Sequence, residues 1–128
     1  MKESILKEKS KSFAIRIIRF YQTLKDAHQE FVLSKQILRS GTSIGANIAE
    51  AFYAESEMDF IHKLSIAQKE CSETLYWLDL LYATQYINEV GYNSLNTDAT
   101  EIMKLLTSSI KTVKNKLNHQ SLITKTKH

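Results

Sequence analysis

Phe13, Ile17, Phe20 and Leu24 recur at spacings of four, three and four, which places them on one face of an α-helix. Ala14, Ile18 and Tyr21 form a second stripe beside the first, and Ile15 widens it further. A first helix is therefore expected from Ser4 or Lys9 to Lys25. Its apolar arc is too wide for one bundle seam and calls for burial on two sides. Asp26 with Gln29 has the spacing of a capping box, so a second helix is expected to start there and to reach about Tyr53. Ile37, Gly41, Ile44, Ile48 and Phe52 make its inner stripe. Ser56 with Asp59 repeats the cap, and Glu57 and Asp59 suit the positive end of a helix dipole. A third helix follows from about Glu57 to Thr84. Ile61, Leu64, Cys71, Leu75, Leu78 and Tyr82 line one face, and Phe60, Ala67, Thr74, Trp77 and Leu81 lie alongside. A turn is expected near Gln85–Asn88. Tyr92, Leu95, Ala99, Ile102, Leu106, Ile110, Val113 and Leu117 continue the rhythm in a fourth helix, whose N-cap is Asn88 or, one turn later, Asn93. Residues 119–128 are polar and aperiodic and are expected to fray.

Four amphipathic helices with short connections predict an all-α fold, an antiparallel up-down-up-down four-helix bundle in one domain over residues 1–128. The composition agrees: no proline, three glycines and 43% hydrophobic residues in 128 permit long helices and a real core. The single cysteine, Cys71, excludes an internal disulfide and fits a reducing, cytoplasmic setting. The charged start MKESILKEKS does not read as a signal peptide, and no apolar run reaches the ~18 residues of a membrane span.

The densest stretch is LSKQILRSGTSIGANIAEA, Leu33 to Ala51, where Gly41 and Gly45 stand four apart among other small residues. Two glycines inside a helix cost roughly 1–2 kcal/mol relative to alanine. Close packing against another helix backbone is the compensation this spacing suggests.

The net charge of +3 conceals a segregation. Residues 1–39 carry +5, residues 40–101 carry −8, and residues 102–128 carry +6 with no acidic residue. In an up-down bundle helices one and four are neighbours, so both basic segments fall on one side. Arg16, Arg19, Lys104, Lys111 and Lys114 then make a candidate nucleic-acid-binding surface, because each cation can neutralise one phosphate and release counterions. Tyr21 or Tyr92 is placed to stack on exposed bases. The competing use of the same charges is complementarity within the fold or between subunits.

Catalytic signatures are weak. The histidines are His28, His62, His119 and His128, and none stands three residues after a glutamate, as a di-iron bundle would require. Asp59 and His62 have that spacing, but Asp59 is used in a helix cap. Arg16, Arg19 and Arg39 lack a histidine at the spacing common in helical-bundle ribonucleases. No histidine is paired by motif with Ser40, Thr42 or Ser43, and Cys71 falls on an inner face. No catalytic residue, metal or cofactor is therefore assigned. Arg39, Asn47, Glu50, Glu70 and Glu73 flank the apolar stripes of helices two and three. They read as a structural polar network that sets register; the alternative is an acid–base or metal site on Glu50, Glu70 and Glu73.

LSKQILRSGTSIGANIAEA, DFIHKLSIAQKECSETLYWLDLL (Asp59 to Leu81) and LLTSSIKTVK (Leu105 to Lys114) together resemble a family of small bacterial four-helix-bundle proteins, those encoded in intervening sequences of 23S ribosomal RNA genes. The resemblance runs from about Phe13 to Lys116 and is most specific at Arg39–Glu50. It implies a ring-like homopentamer and no enzyme activity. It also implies likeness to the accessory proteins of diversity-generating retroelements, basic pentameric barrels that bind nucleic acid and a reverse transcriptase. The expectation is a non-enzymatic oligomeric adapter whose partners are copies of itself, RNA or DNA, and a reverse transcriptase or other protein, with no membrane involved. The alternative is a protein-binding scaffold without nucleic-acid contact.

Overall fold

The structure, a computed structural model, describes residues 2–126. His128 and the end of the expected fraying tail lie outside the described residues. Four helices follow one another: α1 (Lys2–Asp26), α2 (Leu33–Ala51), α3 (Glu57–Ala83) and α4 (Glu89–Thr126). Each packs on its sequence neighbour, and α1 closes the ring against α4. The register shows alternating directions. Gly41 lies against Ile17 and Gly45 against Ser10, Thr74 meets Ser40 and Lys63 meets Glu50, Cys71 meets Ala99 and Asp79 meets Tyr92, and Lys9 meets Glu101 while Arg16 meets Asp98. The fold is the expected antiparallel bundle. Among the described residues no helix is long and apolar enough to cross a membrane.

The core follows the predicted inner stripes. Phe13, Ile17 and Leu24 of α1, Ile37, Ile44 and Ile48 of α2, Leu64, Cys71 and Leu78 of α3, and Ala99, Ile102 and Leu106 of α4 are all but inaccessible. Three boundaries differ from expectation. The first helix starts at Lys2, because Ser10 and Leu6 extend the buried stripe two turns back from Phe13 and Lys7 pairs with Glu3 at 3.1 Å. The second starts at Leu33, seven residues after Asp26, which instead ends α1. Gln29 takes a left-handed conformation (φ 51°) that stops α1, and Glu30 supplies the cap. Its Oε1 accepts from the backbone N–H of Val32 and of Ser34, each at 2.9 Å, and Ser34 Oγ donates back to the Glu30 carbonyl at 2.7 Å. The fourth helix starts at Glu89, with Asn88 Oδ1 accepting from Gly91 N–H at 2.8 Å, so Asn88 is the cap and Asn93 is not. It then continues to Thr126. Residues 119–126, expected to fray, are helical, since nothing after Gly91 breaks the helix.

The predicted caps at Ser56 and the turn at 85–88 are present. Ser56 Oγ accepts from Asp59 N–H at 3.0 Å. At the end of α3, Gln85 takes the left-handed conformation (φ 69°), and Tyr86 N–H and Gln85 N–H bond to the carbonyls of Leu81 and Tyr82. This is the reciprocal pair of a Schellman motif, with glutamine where glycine is usual.

Candidate nucleic-acid interface

The two glycines of α2 both face α1, but not equally closely. A Cβ on Gly41 would stand 2.8 Å from Ile17 Cγ2, which leaves no room for it. One on Gly45 would meet the Ser10 carbonyl oxygen at 3.4 Å, an ordinary contact. Close packing is thus the property of Gly41, and Gly45 forms the floor of a shallow groove beside it.

The five candidate cations do not form one surface. Arg16 is held at the α1–α4 seam: Nη1 pairs with Asp98 at 2.5 Å and Nη2 donates to Ser94 Oγ at 2.8 Å. Lys9 makes the equivalent pair with Glu101 at 2.9 Å, which also raises the Lys9 pKa. The seam between the two basic helices is therefore stitched by acidic residues of α4. Lys111 lies about 20 Å further along α4 than Asp98, at 1.5 Å of rise per residue. At the register of the Lys9 and Arg16 pairs, α1 begins opposite roughly residues 108–112, so Lys111 and Lys114 sit at and beyond its N-terminal end. Lys104 and Lys111 share the face of α4 opposite Ile102, Leu106 and Ile110. Lys114 is turned by roughly 60° from Lys111, towards α3, where it borders Met58 and Ile61. None of these three lysines makes an ion pair among the described residues. Lys116, outside the candidate set, pairs with Glu57 at 2.7 Å.

Arg19 lies with Arg16 at the other end of the bundle, on the rim of an open groove of about 800 Å³ where the ends of α1 and α3 meet the start of α4. The stacking residues anticipated from the sequence are engaged elsewhere. Tyr92 stacks on Tyr82 (4.4 Å, 19°), and its hydroxyl donates to Asp79 Oδ1 at 3.3 Å. Loss of solvation, and next the Asp79 carboxylate, raise the Tyr92 pKa. Tyr21 lies under Lys25 Nζ at 5.4 Å.

The polar network is smaller than expected. Arg39 reaches Glu70 at 3.4 Å and pairs with Glu73, which also accepts from Trp77 Nε1 at 3.2 Å. The Arg39 guanidinium holds the Glu73 carboxyl below the ordinary range, with Trp77 contributing. Asn47 and Glu50 are elsewhere: Asn47 donates to the Ser43 carbonyl at 2.9 Å and Glu50 pairs with Lys63 at 3.3 Å. A buried polar pair links α2 and α3 instead. The Ser40 and Thr74 hydroxyls lie 2.9 Å apart, and Thr74 also donates to the Glu70 carbonyl at 2.8 Å. Its signal was present in the sequence, as a serine and a threonine on the inner stripes, but only the register joins them. Cys71 Sγ lies 3.2 Å from the Ala99 carbonyl, and burial pushes its pKa up to about 11, so the thiol stays protonated at neutral pH.

A family model for the 23S rRNA-intervening sequence protein matches residues 2–108. The chain belongs to this family. A solved structure shares its fold in detail: a protein of unknown function from the S23 ribosomal protein family of Bacteroides thetaiotaomicron VPI-5482. It is 58% identical, with a TM-score of 0.86, over 87% of this chain and 99% of that one. No curated protein matches the chain. The matched segment stops before Lys111, so two of the candidate cations, Lys111 and Lys114, lie beyond the part the family model covers.

Proposed function

We propose that this protein is a non-enzymatic, oligomeric adapter of the cytoplasm that holds RNA or DNA on the solvent face of α4. The observation that carries this reading is the pair Lys104 and Lys111: both point away from the core, neither is ion-paired among the described residues, and residues 102–128 contain no carboxylate to neutralise them. Such a strip attracts phosphate by charge alone, with weak dependence on sequence. The Arg16 and Arg19 end adds a second basic patch rather than an extension of the first. Neither the family nor the solved relative is named for an enzymatic activity. Assembly into a ring, five copies by the family resemblance, would repeat the strip around the particle. A reverse transcriptase or another protein would dock on the same assembly.

The test is a salt titration of binding, followed by fluorescence anisotropy, for wild type and Lys104→Ala with Lys111→Ala. We expect binding that falls steeply with salt, and a slope reduced by roughly two in the double variant, alike for every sequence. The competing reading, a protein-binding scaffold, draws on the ion-paired seam of Lys9 with Glu101 and Arg16 with Asp98, where cations serve the fold itself. No binding by wild type at low salt would select it.

A further inference from the structure

We infer that the groove where the ends of α1 and α3 meet the start of α4 seats one unpaired nucleotide of a single-stranded nucleic acid, its phosphate on Arg19 and His28 and its base against the ring of Tyr82. This rests on the nucleic-acid reading above but concerns a different surface from the α4 lysines.

Three observations converge there. The first is charge: the ionisable lining includes Arg16, Arg19 and His28, and no Asp or Glu borders the groove. Arg16 is already committed to Asp98, whereas the Arg19 guanidinium has no hydrogen-bond or ion-pair partner among the described residues. The second is aromatic surface. Tyr82 is 37% exposed while one of its faces is taken by Tyr92, so the ring is braced from behind. Tyr86 holds the His28 ring edge-on at 6.0 Å and 89°, which positions that imidazole at the rim. The third is shape. A concave space of about 800 Å³ falls within the range of small-ligand sites and exceeds what one nucleotide fills. A base inside a duplex is covered by its neighbours and cannot enter such a hollow; an unstacked base can. An acidic peptide would satisfy the cations but has no planar face for the tyrosine. A cationic rim beside a braced ring is the arrangement by which single strands are held with little sequence preference.

The experiment uses the full chain and fluorescein-labelled oligonucleotides: a single strand, the same strand carrying one run of abasic sites, and a duplex of equal total charge. Wild type should bind the single strand at least tenfold more tightly than the abasic strand. Tyr82→Ala and Arg19→Ala should each weaken single-strand binding about tenfold and leave duplex binding unchanged. Tyr82→Phe should keep the affinity, since it keeps the ring. Lys104→Ala with Lys111→Ala should weaken single strand and duplex alike. Circular dichroism confirms the helix content of each variant, and Arg19→Ala, which removes no core contact, carries the test if Tyr82→Ala unfolds. Equal affinity for abasic and intact strands, unchanged single-strand binding by Arg19→Ala, or displacement by poly-glutamate as effective as by oligonucleotide would overturn the groove assignment while leaving the α4 reading intact. Loss of all binding in wild type would overturn both.

Discussion

Gly41 and Gly45 look alike in the sequence and differ in consequence. At Gly41 an added methyl group would collide with the branched carbons of Ile17, which cannot swing away because they are themselves in the core. Gly41→Ala should therefore destabilise the fold by about 1–3 kcal/mol despite the better helix propensity of alanine. At Gly45 the new Cβ meets only ordinary contacts, so propensity decides, and Gly45→Ala should stabilise by about 0.5–1 kcal/mol. Urea midpoints at constant m-value measure both. A gain for Gly41→Ala would show that α1 and α2 are not this close.

Glu73 makes a second statement at this scale. Its carboxyl is held low chiefly by the hydrogen bond from Arg39, so the folded state favours the ionised form. That contribution is complete above the unfolded carboxylate value of about 4.3 and disappears as pH falls through the lower folded value. Arg39 is half exposed, so the contribution is small, under about 1 kcal/mol. Arg39→Ala should lower the urea midpoint slightly at pH 7, and the difference from wild type should vanish near pH 2.

At the scale of elements, the ends of the helices are where sequence and structure part. Asp26 and Gln29 have the spacing of a capping box, yet α1 runs through Asp26 and Gln29 turns left-handed to stop it. Glu30 then caps α2 from outside, with one carboxylate oxygen on two backbone N–H groups. Glu30→Ala should cost about 1 kcal/mol, Glu30→Gln should keep most of it because an acceptor oxygen remains, and Gln29→Gly should raise stability by up to about 1 kcal/mol by relieving the left-handed position. Thermal unfolding of the three variants reports the order. Capping signals are short and recur by chance; which one acts depends on where the neighbouring helix stops.

At the scale of the molecule, one chain leaves apolar surface uncovered. Ile15 and Ile18 are 43% and 39% exposed on α1. Beside them a groove of about 470 Å³, floored by Ala14, Gly45, Ala46 and Ala49, ends at Tyr53, which is 87% exposed. The wide apolar arc read from α1 is thus present and unburied, the condition under which a second copy covers it. Light scattering at micromolar concentration should give a multiple of 14.7 kDa, with five copies preferred. Ala49→Arg, which adds bulk and charge to an exposed position in the groove, should produce a folded monomer. A wild-type monomer would end this reading.

The features legible in the sequence are local and periodic. The 3.6-residue rhythm named four helices and put Phe13, Ile17, Ile44, Leu64, Leu78, Ile102 and Leu106 inside, and the resemblance of its motifs pointed to the family. These are properties of single helices, and burial of one face enforces them whatever the details of packing. Relations between helices emerge only once the helices are packed. Register along the α1–α4 seam gave Arg16 and Lys9 their acidic partners and left Lys104 and Lys111 without any among the described residues. Register between α2 and α3 joined Arg39 to Glu70 and Glu73, sent Glu50 to Lys63, and paired Ser40 with Thr74. The groove of Arg19, His28 and Tyr82 draws its lining from α1, the α1–α2 connection, the end of α3, the α3–α4 turn and α4, stretches that no spacing rule connects. A shift of one helical turn, 5.4 Å, would exchange every one of these partners while leaving each helix's own pattern untouched.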